Sequence, residues 1–124
     1  YNNVKSIENS IMSVLSQKYN DIEYIIIDGK SSDSTISIVN NYQATYSYIK
    51  MVSETDSGIY DALNKGLAMA TGDLIGFLHS DDVFCDEDCV LSMVESFKNN
   101  RINFFCLTIV SLDFSIIIFS VLNF

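Results

Sequence analysis

Two adjacent carboxylates, Asp81 and Asp82, follow a short apolar run over residues 74–78. The run is typical of a buried β-strand, so the acidic pair is expected where that strand ends. Neighbouring carboxylates repel each other, and a hard divalent cation relieves the repulsion because it prefers oxygen ligands. The alternative is a solvated acidic turn that caps the next helix, since residues 86–88 are also acidic.

Asp28 follows a second short run, residues 22–27, which is rich in β-branched isoleucine and also predicts a buried strand. At the end of a strand this side chain can accept a hydrogen bond from a base or a sugar. It can equally form an Asx turn that stabilises its own loop, and the sequence leaves both interpretations open.

The polar stretch 54–66 leads into a predicted helix, and helix N-termini commonly bind anions. Its acidic residues Asp56 and Asp61 suit sugar hydroxyls or a metal-bound phosphate better than a bare anion. The alternative is a capped helix against which Tyr60 packs.

The predicted elements would place these side chains together. Helical periodicity occurs over residues 4–18, 34–42, 59–70 and 90–97, and the predicted strands are 22–27, 48–52 and 74–78. Such alternation predicts an α/β fold with a mainly parallel sheet and flanking helices. Right-handed crossovers would put Asp28, Asp81 and Asp82 on one rim of that sheet.

Composition narrows the class of protein. The chain has 124 residues, which suits one domain, and a hydrophobic fraction of 48%, which argues against disorder. The net charge of −9 argues against a nucleic-acid partner. Dinucleotide-binding, P-loop, serine-hydrolase and zinc-protease motifs are absent from the sequence.

The three cysteines have no disulfide-framework spacing, so reduced thiols are expected. Cys85 and Cys89 are four residues apart, which predicts that they share one helix face. With one histidine and no CxxC pair, a zinc site is not expected. No signal peptide is recognisable at the start of the sequence.

Residues 102–124 differ from the rest because they carry one charge, Asp113. The length allows a membrane span, whereas the central aspartate and three serines argue against one. A buried or disordered end, a membrane segment and a damaged reading frame are the interpretations left open.

Four linked motifs resemble glycosyltransferase family 2, especially its bacterial polysaccharide and lipopolysaccharide branch. They are DGKSSDST at 28–35, SETDSGIYDALNKG at 53–66, ATGD at 70–73 and SDD at 80–82. Their order and spacing are similar to the family pattern across about residues 1–100.

The resemblance implies a GT-A fold, which is a Rossmann-like nucleotide-sugar-binding sandwich, with a nucleotide-diphosphate sugar as donor and Mn²⁺ or Mg²⁺ as cofactor. It implies that Asp82 binds the metal ion and that Asp81 contacts the ribose or the sugar. Asp28 would contact the base, and Asp61 and Asn64 would line the donor site. Family members of this type transfer the sugar with inversion of its configuration.

The sequence also departs from the family pattern in several places. The first strand of the family pattern is missing, so a truncated donor-binding domain is expected at 1–100, followed by an apolar tail at 101–124. No residue matches the family's catalytic base, so none is assigned. Lys30 stands where glycine or serine is usual. A non-catalytic interaction domain or a degenerate remnant is the alternative function.

The expected partners are the nucleotide sugar and a glycan or lipid-linked acceptor of cell-surface polysaccharide or glycolipid synthesis. The expected location is the cytoplasm, with peripheral attachment at the inner face of the membrane as a further expectation.

Overall fold

The computed structural model describes residues 1–99 and the backbone of residues 116–121. Helices and strands alternate along the chain, as the sequence predicts. In order they are α1 (Ile7–Leu15), β1 (Ile22–Asp28), α2 (Thr35–Thr45), β2 (Ile49–Ser53), α3 (Ile59–Met69), β3 (Leu74–His79), α4 (Cys89–Lys98) and β4 (Ile116–Val121).

The four strands form one sheet in the order β2-β1-β4-β3. Strands β1 and β2 pair in parallel, whereas β4 runs antiparallel to both of its neighbours, β1 and β3. Strands β1, β2 and β3 therefore point the same way, and their carboxyl ends share one rim. The predicted α/β architecture with a mainly parallel sheet is confirmed, and β4 is the antiparallel exception.

Strand β1 is the centre of the core, because all seven of its residues are buried. Tyr24 and Ile26 lie in a cluster with apolar residues of α1, α2 and α4. Ile25 and Ile27 contact α3 through Ala62 on the opposite face. Two-sided burial explains the apolar run over residues 24–27, since a strand covered by helices on both faces has no solvent-facing side.

The structure corrects the predicted burial of residues 74–78 and adds a strand that the sequence did not predict. The run at 74–78 forms β3, but of these residues only Leu78 is buried, because β3 is the edge strand of the described sheet. Part of the apolar tail, residues 116–121, pairs between β1 and β3. The remainder of that tail lies outside the described residues.

None of the helices in the described part of the chain has the length and apolar character needed to cross a membrane.

The loop after β1 contains an unfavourable backbone conformation. Lys30 has a φ of 61°, which is the left-handed region. A Cβ atom in this region lies too close to the following carbonyl, and glycine avoids that contact. This explains physically why glycine suits position 30 better than lysine.

Replacing Lys30 with glycine should therefore raise the free energy of unfolding by about 0.5–1 kcal/mol, the steric relief less the extra unfolded-state entropy of glycine. Urea denaturation measures the change. Lys30→Ala is the matched control, since it removes the same side chain but keeps Cβ. Equal stabilities of the two variants would contradict this explanation.

Candidate functional site at the carboxyl rim of the sheet

The strand register places the predicted site residues on one rim. Ile27 of β1 and His79 of β3 both pair with Ile116 of β4, and Asp28 pairs with Ser53 of β2. One strand separates β1 from β3, so their backbones are about 10 Å apart. Asp28 and the Asp81–Asp82 pair thus leave the sheet at the same level, as the sequence predicts.

Asp28 is held inside its own loop. Its side chain is buried, with the residue 1% exposed. One carboxylate oxygen accepts hydrogen bonds from the backbone N–H of Ser31 at 2.8 Å and the hydroxyl of Ser53 at 2.6 Å, and the other accepts the Ser31 hydroxyl. The carboxylate therefore stabilises its own loop, although through the N–H of the third residue on and not of the second as in an Asx turn. The predicted contact with a base stays a prediction.

The loop that carries Asp81 and Asp82 is fixed by residues at the start of the chain. Asn3 donates its side-chain N–H to the hydroxyl of buried Ser80 at 2.6 Å. The Ser10 hydroxyl lies 2.8 Å from the carbonyl oxygen of Ser80 and 2.7 Å from that of Asp82. The backbone N–H of Asp82 donates to the His79 carbonyl at 3.0 Å, which closes the turn.

The acidic pair has uncompensated negative charge. Partial burial and the neighbouring Asp81 carboxylate raise the pKa of Asp82, while His79 opposes the shift. Within the described residues, no lysine lies within ion-pair distance of Asp81 or Asp82. The site has the properties that favour a bound cation: two carboxylates, a raised pKa and a rigid backbone.

The acidic residues of the 54–66 stretch differ, because each of them lies within ion-pair distance of Lys65. Its ammonium lies 2.5 Å from Asp56, 3.1 Å from Glu54 and 3.1 Å from Asp61. These carboxylates, Asp56 first, raise the pKa of Lys65. Asp61 also accepts the Ser57 N–H at 3.0 Å, and this bond together with Lys65 lowers its pKa.

The helix that follows this stretch starts near the rim, because α3 begins at Ile59 and β2 ends at Ser53. Asn64 is exposed on α3 and is available to a ligand. Tyr60 is 78% exposed, so the expectation that it packs on the helix is wrong.

Asp56 is more buried than its polar surroundings in the sequence indicate. Its side chain is 3% exposed, and its Oδ2 atom is buried without a hydrogen-bond partner in the described structure. A buried polar atom without a partner is uncommon and costly. The spacing of residues in the sequence does not predict the burial of Asp56, since that burial depends on how the loop folds around Lys65.

Comparison with known proteins identifies the family. Residues 1–114 match the description "Glycosyl transferase family 2". The chain is 39% identical over 97 residues to an uncharacterised glycosyltransferase of Mycobacterium tuberculosis, covering 77% of this chain and 36% of that protein.

Two similar proteins have more specific names. Poly-beta-1,6-N-acetyl-D-glucosamine synthase of Staphylococcus epidermidis is 33% identical over 100 residues, which is 81% of this chain and 24% of that protein. A PGL/p-HBAD biosynthesis glycosyltransferase of Mycobacterium bovis is 35% identical over 86 residues, 68% of this chain and 33% of that protein. The chain therefore spans about a third or less of the length of these curated relatives.

The contacts of Asp28 generate a stability prediction. Asp28→Ala removes the acceptor of three hydrogen bonds in a buried loop, and we expect a loss of about 2–4 kcal/mol in the free energy of unfolding. Chemical denaturation measures it. The exposed Asp21→Ala is the matched control. A change below about 0.5 kcal/mol at position 28 would show that these bonds contribute little to stability.

The raised pKa of Asp82 generates a second prediction. Because its pKa is higher in the folded than in the unfolded chain, the folded chain binds more protons, and stability falls as pH rises through this interval. At pH 7 without divalent cations, Asp82→Asn should therefore raise the thermal midpoint by a few degrees. Calorimetry from pH 4 to pH 8 should show the difference shrinking towards the acidic end.

Asp21→Asn serves as the control for a general charge effect in that experiment. A midpoint lowered by Asp82→Asn, or a difference that does not vary with pH, would contradict the repulsion between Asp81 and Asp82.

Proposed function

This chain belongs to glycosyltransferase family 2, and on that basis we propose that it forms the donor-binding part of a glycosyltransferase. The α/β frame is that of the GT-A fold of the family. The proposed reaction of the whole protein transfers a sugar from a nucleotide-diphosphate sugar to an acceptor hydroxyl.

The observation that carries this proposal is the uncompensated Asp81–Asp82 pair at the carboxyl rim of the sheet. In open α/β sheets, ligands bind outside the carboxyl ends of the strands. Lys65 forms ion pairs with the acidic residues of the 54–66 stretch, and Lys18 forms them with Glu87 and Asp88 before α4. No described lysine pairs with Asp81 or Asp82. A cation brought by the donor would supply positive charge to this pair.

The residues present fit a hard divalent ion such as Mn²⁺ or Mg²⁺. Asp82 would hold the ion, because Ser10 fixes its backbone and because partial burial and the Asp81 carboxylate, which raise its pKa, both disfavour an isolated negative charge there. When bound, such an ion supplies a Lewis acid for the charge that develops on the nucleoside diphosphate leaving group. Asp81, which is exposed on the same turn, would orient the ribose or the sugar.

The remaining roles follow from position on the rim. Asp28 orders the loop between β1 and α2, and the proposed base contact would be made at this loop. Asp61 and Asn64 lie in the first two turns of α3 and would line the donor site. Asp61 would act while ion-paired to Lys65, so it suits a neutral hydroxyl group better than a phosphate.

The acceptor is proposed from the names of the relatives. One is named for a polysaccharide synthase and another for PGL/p-HBAD biosynthesis. We therefore place the whole protein in cell-surface polysaccharide or glycolipid synthesis, acting in the cytoplasm at the inner face of the membrane. The general base for the acceptor hydroxyl is not assigned to any described residue.

The direct test is binding of UDP, GDP and dTDP to the full chain by isothermal titration calorimetry, with and without Mn²⁺. We expect one nucleotide to bind in a Mn²⁺-dependent manner. Asp82→Ala should weaken that binding at least about tenfold, which corresponds to about 1.4 kcal/mol, because the metal loses its ligand.

The control for this test is Asp21→Ala, which removes an exposed carboxylate that directly precedes β1, at the end of that strand opposite the rim. Circular dichroism shows whether each variant is folded. Undiminished Mn²⁺-dependent binding in folded Asp82→Ala would overturn the metal role. Absence of binding by the folded parent chain would favour a non-catalytic interaction domain.

A further inference from the structure

We propose that Cys85, Asp86 and Cys89 form a second cation site, for a divalent metal ion of the zinc class, separate from the Asp81–Asp82 pair. The three side chains present two sulfur atoms and a carboxylate on the turn that precedes α4. This site is independent of the proposed glycosyltransferase function.

The donor atoms of this cluster lie close together. The Cys85 and Cys89 sulfur atoms are 3.1 Å apart. The Cys89 sulfur lies 3.3 Å from Oδ1 of Asp86, and the Cys85 sulfur lies 3.7 Å from Oδ2. One ligand atom from each residue can be chosen so that all lie within 4.8 Å of one another.

These separations are near those of a tetrahedral metal site. With Zn–S bonds of about 2.3 Å and Zn–O bonds of about 2.0–2.2 Å, two sulfurs lie about 3.7 Å apart and a sulfur and an oxygen about 3.5 Å apart. Each sulfur lies near this distance from one Asp86 oxygen, Cys89 from Oδ1 and Cys85 from Oδ2. Binding of one ion therefore requires a small rotation of the carboxylate and separation of the two thiols by a fraction of an ångström. Cys85 is exposed and Cys89 half-buried, so an ion can reach both.

The segment that follows α1 fixes the turn that carries the cluster. The Gln17 side chain donates to the Asp86 carbonyl at 2.7 Å and accepts the Val90 N–H at 3.0 Å. The Lys18 N–H donates to the Glu87 carbonyl at 2.9 Å. Bonds from both sides of the cluster hold its backbone, so little ordering would be needed when an ion binds.

The Asp86 carboxylate is oriented within the turn itself. Its Oδ1 accepts the N–H of Asp88 at 2.9 Å, which leaves Oδ2 to face the Cys85 sulfur. Hydrogen bonds to a ligating carboxylate are a common feature of metal sites, since they fix the ligand before the ion arrives.

Ligand chemistry separates the two sites. Thiolates select soft and borderline ions such as zinc, whereas an oxygen-only pair suits Mg²⁺ or Mn²⁺. The sequence did not indicate a zinc site, because the spacing is CxxxC and the histidine lies elsewhere. The structure adds a third donor, Asp86, which lies between the cysteines in sequence.

Cys85 is not part of the helix, contrary to the expectation of a shared helix face. Helix α4 begins at Cys89, and Cys85 lies in the preceding bend. The two sulfur atoms meet because the 85–88 turn brings Cys85 back over the start of the helix.

Cobalt is the probe for this proposal, since bonds from thiolates to Co²⁺ give a sulfur-to-metal charge-transfer band. The full chain carrying Cys106→Ser is titrated with Co²⁺ in the presence of a phosphine reductant. We expect the band to saturate at one equivalent and to disappear when Zn²⁺ is added. Cys85→Ser and Cys89→Ser should each abolish it, and Asp86→Asn should weaken Co²⁺ binding at least about tenfold.

Matched controls separate this site from its surroundings. Glu87→Gln changes a neighbouring carboxylate and should alter the affinity less than about threefold. Asp82→Asn should leave the band unchanged, because Co²⁺ binding by the two cysteines does not involve the Asp81–Asp82 pair. The two proposed sites are thus tested separately. A folded chain that shows no band at millimolar Co²⁺, or a band that survives in Cys85→Ser, would overturn the proposal.

Discussion

The main constraint on this structure is that its acidic side chains greatly outnumber its basic ones. The chain has sixteen acidic residues and seven lysines and arginines. Lys65 forms ion pairs with carboxylates before and in the first turn of α3, Lys18 with those of the turn before α4, and Lys50 with buried Glu23 on β1. In the described part of the chain, the acidic pair after β3 has no such partner. The Asp81–Asp82 pair therefore differs from the lysine-paired acidic turns before α3 and α4.

The position of that pair follows from the burial of β1. Because apolar side chains cover both faces of the strand, its register with β2 and β4 is strongly specified. Pairing then fixes the level at which β1 and β3 end, and the N-terminal segment secures the loop after β3 through Asn3 and Ser10. Apolar packing and a few buried hydrogen bonds thus position charged side chains that contribute little to the core.

Much of the fold could be predicted from the sequence, because apolar periodicity and turn residues are local signals. Those signals located the helices and the first three strands to within a few residues, and the crossover rule placed Asp28 and Asp82 on one rim. The pairing of residues 116–121 between β1 and β3 could not be predicted, since an apolar run without periodicity fits several environments. The three carboxylates around Lys65 and the approach of Cys85 to Cys89 depend on loop geometry, which spacing does not encode.

Paramagnetic relaxation by Mn²⁺ in the NMR spectrum tests the central claim most directly, because it reports where the ion binds. In the presence of the nucleoside diphosphate, we predict the strongest broadening for the amide signals of residues 80–82. Weaker broadening is predicted at Asp28, across the same rim. The signals of Glu23 and Thr71, which are joined by a hydrogen bond at the opposite end of β1 and β3, should change least. Strongest broadening at that opposite end, or none at residues 80–82, would contradict the account.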